Sequence, residues 1–140
     1  MRRSICYCEP ATAYAGEVNT WRFIFTPAST LPKGSKLKFD LQSKGREIDW
    51  ELPSTDIKKE GGIIYALMGG KKLLPAQEIL VPEESVPQYE FTLPAALNAG
   101  EEFVIVLGGK EEVERKGKGG LRAQTVAQRR RSFFLYVHTG

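Results

Sequence analysis

The stretch "EVNTWRFIFTP", residues 17–27, alternates bulky apolar and smaller or polar side chains with a period of two. In an extended chain successive side chains point to opposite faces, so Asn19, Trp21, Phe23 and Phe25 share one face while Val18, Thr20, Arg22 and Ile24 share the other. Pro27 cannot donate to a strand ladder and ends the element. The pattern predicts a strand whose Trp21, Phe23 and Phe25 enter a core.

The same period recurs along the chain. "KLKFDLQ" (36–42) sets Leu37, Phe39 and Leu41 inward and Lys36, Lys38, Asp40 and Gln42 toward water. After a turn at Ser43, Lys44 and Gly45, "EIDWEL" (47–52) repeats it with Ile48, Trp50 and Leu52. "QYEFTLP" (88–94) aligns Tyr89, Phe91 and Leu93, and "EEFVIVLGG" (101–109) aligns Phe103, Ile105 and Leu107 with Val104 and Val106 behind. "GGIIYALMGG" (61–70) is apolar throughout, as a strand buried on both faces would be. "KKLLPAQEILV" (71–81) follows a turn at Gly69–Gly70, and its Pro75 suits an edge strand or a bulge. "SFFLYVHT" (132–139) reads as the last strand.

No window carries the i, i+3, i+4, i+7 apolar stripe of a helix. "PAALNAGEE" (94–102) allows one short helical turn, limited by Pro94, Asn98 and Gly100. Seven or eight short strands separated by turn signals predict an all-β, antiparallel, two-sheet sandwich of immunoglobulin-like architecture, with a barrel as second choice.

A chain of 140 residues fits one domain, here a segment over residues 1–14 followed by a sandwich over 15–140. With 41% hydrophobic and 26% charged residues it is neither disordered nor membrane-spanning, since a spanning helix needs about 20 apolar residues in a row. The opening "MRRSICYCEP" starts like a signal peptide, but Glu9 and Pro10 cut its apolar stretch short, so no export and a cytoplasmic location are expected. Cys6 and Cys8 are expected to be reduced, unpaired thiols near a loose terminus. They could supply half a zinc site, but no second cysteine pair exists and His138 is the sole histidine.

Charge is distributed unevenly. The net charge is +3, yet "KGKGGLRAQTVAQRRRS" (116–132) holds six basic residues and no acid, leaving 14 basic and 17 acidic side chains, a net of −3, in residues 1–115. The glycine-rich "GGKEEVERKGKGG" (108–120) predicts an exposed, mobile loop. "GKGKGG" is not a phosphate-binding P-loop, because no Ser or Thr follows the lysine and a strand pattern, not a helix, comes next. Arg129, Arg130 and Arg131 with Arg122, Lys116 and Lys118 could contact nucleic-acid phosphates. Three consecutive arginines entering a strand cannot share a face, however, so solvated or intramolecularly paired arginines are the expectation and nucleic acid is not expected as a partner.

No constellation for catalysis emerges. His138 lacks a specific nucleophile or acid beside it, and the pairs Glu83–Glu84, Glu101–Glu102 and Glu111–Glu112 lie in turns or polar loops, where solvent keeps carboxylates ionised. Neither a His/Cys metal site nor a calcium-loop pattern is present. The residues therefore name no catalytic, cofactor-binding or metal-binding position.

The order of elements in the last third, "LNAGEEFVIVLGGK" (97–110), the glycine-rich loop, then "GGLRAQTVAQRRRSFFLYVHTG" (119–140), resembles the accessory N-terminal β-sandwich of large proteins of the PHP (polymerase and histidinol phosphatase) metal-hydrolase superfamily. "AGEVNTWRFIFTPASTLPKGSKLKF" (15–39) is similar to the opening strands of that domain. The likeness covers most of residues 15–140, loosely in the middle, and is sharpest at Arg122, Ala123, Gln124 and Thr125. It departs where the family's Gly-Asp pairs become Gly100–Glu101 and Gly108–Gly109–Lys110. The resemblance implies a non-catalytic domain, an N-terminal fragment of a longer protein, that packs on or positions a metal-dependent hydrolase domain. The partner it implies is the C-terminal domain of the same longer chain, where the superfamily's His and Asp ligands reside. Arg122, Gln124, Thr125, Arg129, Arg130 and Arg131 are the interaction candidates, and no cofactor is expected in this chain. The alternative is a stand-alone binding module for carbohydrate, protein or polyanion; an enzyme acting by itself is the weakest reading.

Overall fold

The computed structural model describes residues 4–9, 16–41, 43, 50–59, 61–69, 72–81, 86–109, 120–122 and 134–139, with the backbone alone at 80, 81, 86, 122 and 134. Within them lie β1 (Ile5–Glu9), β2 (Val18–Asn19), β3 (Trp21–Thr26), β4 (Lys36–Asp40), β5 (Ile63–Met68) and β6 (Lys72–Pro75). These are followed by β7 (Gln77–Val81), β8 (Val86–Thr92), β9 (Phe103–Gly108), β10 (Leu121–Arg122) and β11 (Phe134–His138). The described residues contain no helix, and so none long and apolar enough to cross a membrane.

Two antiparallel sheets stack as a sandwich. One has the order β1-β3-β9-β5-β6, the other β11-β4-β8-β7, and β10 pairs with β2 in a short third ribbon. The registers line up the inward sets expected from the alternation. Trp21, Phe23 and Phe25 of β3 oppose Leu107, Ile105 and Phe103 of β9, while Leu37 and Phe39 of β4 oppose Phe91 and Tyr89 of β8. All ten are buried. Burying one such side chain stabilises the fold by about 1.5–3 kcal/mol, so this layer supplies most of what holds the sheets together.

Aromatic contacts fix how the sheets superpose. Phe23 meets Phe39 at 4.8 Å between ring centroids and Phe91 meets Phe103 edge-on at 5.6 Å, placing β3 over β4 and β9 over β8. Trp50 packs edge-on against Trp21 at 4.7 Å. On one side of the sandwich β6 runs into β7 through Ala76 alone, so a nearly continuous segment passes from one sheet to the other and sews that side shut. Pro75 sits at the end of β6, an edge strand, where its missing N–H breaks no interior ladder. Among the described residues the opposite side is flanked by β1 and β11, with no crossing strand between them.

Several details differ from the sequence expectation. Residues 5–9, expected in a loose segment ahead of the domain, form β1, paired along its length with β3 from Ile5↔Thr26 to Glu9↔Arg22. Trp50–Leu52, expected within a strand over 47–52, are not in a strand; 44–49 lie outside the described residues. Asp40, expected to face water, is buried at the end of β4 on its sheet's outer face, where Gln88 Nε2 donates to its carboxylate at 3.4 Å. The helical turn at 94–102 is replaced by a bridge. Leu97 exchanges both backbone hydrogen bonds with Leu31, at 2.8 and 2.9 Å, and groups committed to another segment cannot close a helical turn. Among the described residues eleven strands rather than seven or eight result, because β1 and β10 are added and the runs over 18–26 and 72–81 break at Thr20 and Ala76.

Candidate functional site

Of the basic stretch 116–132, the described structure includes Gly120–Arg122. β10 is only two residues long, yet it is held firmly: Leu121 lies opposite Asn19, fully buried in the main core, and Arg122 lies opposite Val18. Gly62 N–H donates to the Gly120 carbonyl at 2.7 Å, tying the return to the start of β5. Beside it, Gly109 N–H donates to Thr20 Oγ1 at 3.1 Å, and Thr20 N–H donates to Asn19 Oδ1 at 2.8 Å.

The glycines here are sterically required. At Gly108, φ is +138°, and a Cβ would sit 2.5 Å from Thr20 Oγ1 and 2.8 Å from its Cα. At Gly120, φ is +113°, and a Cβ would fall 2.9 Å from Val18 Cγ1. Only a residue without a side chain lets β2, the end of β9 and β10 converge so closely. Leu121 is thus a structural anchor at the head of the family-like stretch. Arg122 is described through its backbone alone; its guanidinium and Gln124, Thr125, Arg129, Arg130 and Arg131 lie outside the described residues.

A second charged region is the outer face of the four-stranded sheet. Lys36 and Lys38 reach Glu90 at 3.6 and 4.0 Å, and Glu90 is itself buried. The lysines stay at least partly exposed while the Glu90 carboxylate does not, so the pairs balance a charge that would otherwise be buried alone. His138 is exposed on β11 opposite Lys36, with no nucleophile in register beside it. Among the described residues no three His, Cys, Asp or Glu side chains are placed to hold a metal ion.

The third region is the side bounded by β1 and β11, which no charge or motif in the sequence marks. Cys6 and Cys8, two positions apart, lie on the same face of β1, opposite the core residues Phe25 and Phe23. Neither is in a disulfide; Cys6 is exposed, and Cys8 is half-buried against the core. Burial of the Cys8 thiol, with smaller contributions from Cys6 and Glu9, pushes its pKa up to about 12, so it stays protonated and inert at neutral pH. Ile5 and Tyr7 occupy the outer face of β1, Tyr7 opposite Ile24. Across the opening, Leu135 of β11 packs on the same core that Cys8 touches. Of five exposed large apolar side chains among the described residues, four stand on these two strands: Ile5 (58%), Tyr7 (45%), Tyr136 (43%) and Val137 (37%). The available signal was the alternation in "ICYCE", too short to stand out before Pro10.

No protein-family model matches the chain, and no solved structure matches it. It is 44% identical over 137 residues to an uncharacterised protein of Chlamydia pneumoniae, 43% identical to one of Chlamydia trachomatis and 42% identical to one of Chlamydia muridarum. Each match takes in 98% of this chain but 22% of the relative. The chain is thus similar, over nearly its whole length, to a sandwich-sized portion of proteins more than four times as long, and spans about a fifth of the curated relatives it matches.

Proposed function

We propose that the chain is a non-catalytic sandwich domain of a longer polypeptide, where it packs on and positions a metal-dependent hydrolase domain of the PHP type. The observation that carries this reading is the coverage: 98% of the chain matches relatives of which it accounts for 22%. A unit with its own two-sheet core, similar to a fifth of a long polypeptide, has the properties of an accessory domain. The identity of the neighbour rests on the resemblance around Arg122 to Thr125 and on the opening strands. In this reading the metal and its ligands belong to the neighbour.

The test is the polypeptide that carries these residues at its natural length. A reading frame continuing well past Gly140, and a metal-dependent phosphoester hydrolysis that falls when the sandwich is removed, are expected. A stop codon directly after Gly140, or undiminished hydrolysis without the sandwich, overturns the reading. The exposed tyrosines Tyr7 and Tyr136 favour a second one, a binding module that uses aromatic contacts on carbohydrate or protein. Retention of the 140-residue chain on a polysaccharide column, abolished by Tyr7→Ala with Tyr136→Ala, would select it.

A further inference from the structure

Both cysteines of the chain stand on one face of β1, Cys6 opposite Phe25 and Cys8 opposite Phe23, and neither is in a disulfide. An extended strand rises about 3.3 Å per residue, so side chains two positions apart project in parallel about 6.6 Å from each other. Two metal–sulfur bonds of about 2.3 Å span about 4.6 Å, so each sulfur has to lean inward by only about 1 Å to share one ion. Burial, and after it the charge of Cys6, push the pKa of Cys8 up to about 12, which places the two sulfurs near enough to feel each other. The same burial keeps Cys8 protonated until a bound cation takes the charge of its thiolate.

The number of ligands selects the ion. Cys6 and Cys8 make half of a structural zinc site, which takes four ligands, and among the described residues no third His, Cys, Asp or Glu joins them. The one histidine, His138, belongs to β11 in the other sheet. Calcium and magnesium are hard cations that take oxygen. Half a zinc site is a whole site for an ion that accepts two soft ligands, and thiolates select monovalent copper. The setting agrees, because Cys8 is half-buried against an apolar core while Cys6 is exposed and gives an ion a way in. We propose that Cys6 and Cys8 bind one Cu(I) ion between them. Each thiol releases its proton to solvent and bonds the ion through sulfur, so one ion enters, two protons leave and no electron is transferred. The site does not depend on what adjoins the sandwich in a longer polypeptide.

Anaerobic titration of the 140-residue chain with Cu(I) held by bicinchoninate, a coloured competing chelator, tests this. The expected result is one ion per chain, with no dimer formed by light scattering. The second sulfur binds within the same strand, so Cys6→Ser and Cys8→Ser should each weaken binding about 10²–10⁴-fold. Unchanged hydrogen exchange across Phe103–Gly108 shows that each variant still folds. Undiminished affinity in either single variant, two ions per chain, or one ion joining two chains overturns the proposal. A tetrahedral cobalt(II) spectrum at stoichiometric metal overturns it as well, because further ligands would then complete a zinc-type site.

Discussion

The two outer faces of the sandwich are built on opposite principles. The five-stranded sheet is apolar on both sides: behind its main core, Ile24, Ile63, Tyr65, Val104 and Val106 form a second buried cluster, on which Ile57, Leu67 and Leu73 pack. The four-stranded sheet is apolar only inside, and its outer face carries Lys36, Lys38, Asp40, Gln88 and Glu90. The contrast starts in the sequence. β5 and β9 are continuous apolar runs, whereas β4 and β8 alternate. A sheet apolar on both faces needs cover on both. Part of it comes from the segment before β5, which bridges back at Ser54↔Ile63, with Ser54 N–H donating to the Gly62 carbonyl at 2.7 Å and Ile64 N–H to the Ser54 carbonyl at 2.9 Å.

The largest effect expected from this contrast is on the apolar outer face. Ile63→Ala should cost about 2–5 kcal/mol in urea unfolding, because it opens a cavity in a fully buried cluster. A loss below about 1 kcal/mol would mean that the outer cluster is cover rather than core. Next comes the convergence that joins the return to the five-stranded sheet. Gly108→Ala should lose about 1–3 kcal/mol through backbone strain, with more from the clash on Thr20, read as a lowered unfolding midpoint.

The layer between the faces gives a pH test. Burial raises the pKa of Cys8 from 9.0 to about 12, and burial with the charge of Glu78 raises that of Tyr89, whose hydroxyl donates to the Pro53 carbonyl at 3.1 Å. Both groups are neutral in the folded state at a pH where the unfolded chain has begun to ionise. Stability should therefore hold below about pH 9 and fall as pH rises from 9 toward 12. Alkylation of the native protein should reach Cys6 well before Cys8; equal rates would mean that β1 does not hold Cys8 against the core. The smallest effect belongs to the polar face, where Lys38→Ala should cost about 1 kcal/mol or less, because Lys36 still balances Glu90. A loss comparable to that of Ile63→Ala would erase the distinction between the two faces.

Much of the sandwich was legible in the residues. Trp21, Phe23, Phe25, Leu37, Phe39, Leu41, Tyr89, Phe91, Leu93, Phe103, Ile105 and Leu107 all enter the core that their period-two spacing predicts. Pro75 marks an edge for the stated reason. Misreadings arose where an outcome depends on neighbours distant in sequence. Asp40 carries the label of a solvent-facing residue, yet it lies between β8 and β11, so burial was decided by strand order. Leu97 sits in what reads as a helical turn but spends its backbone groups on Leu31, 66 positions earlier. The candidate interaction residues chosen from charge, Arg122, Gln124, Thr125 and Arg129 to Arg131, lie beyond what the structure describes at side-chain level, whereas the exposed apolar edge was invisible in a charge count.

By itself the sequence determined an all-β, antiparallel fold and the membership of its main core, because side-chain alternation and turn residues act locally. Tertiary structure alone decided which of the described strands lie at the edges, that β6 and β7 join the two sheets through Ala76, and that Leu121 is buried in the main core. Those properties depend on strand order and on contacts between residues far apart in the chain, and no local pattern encodes them.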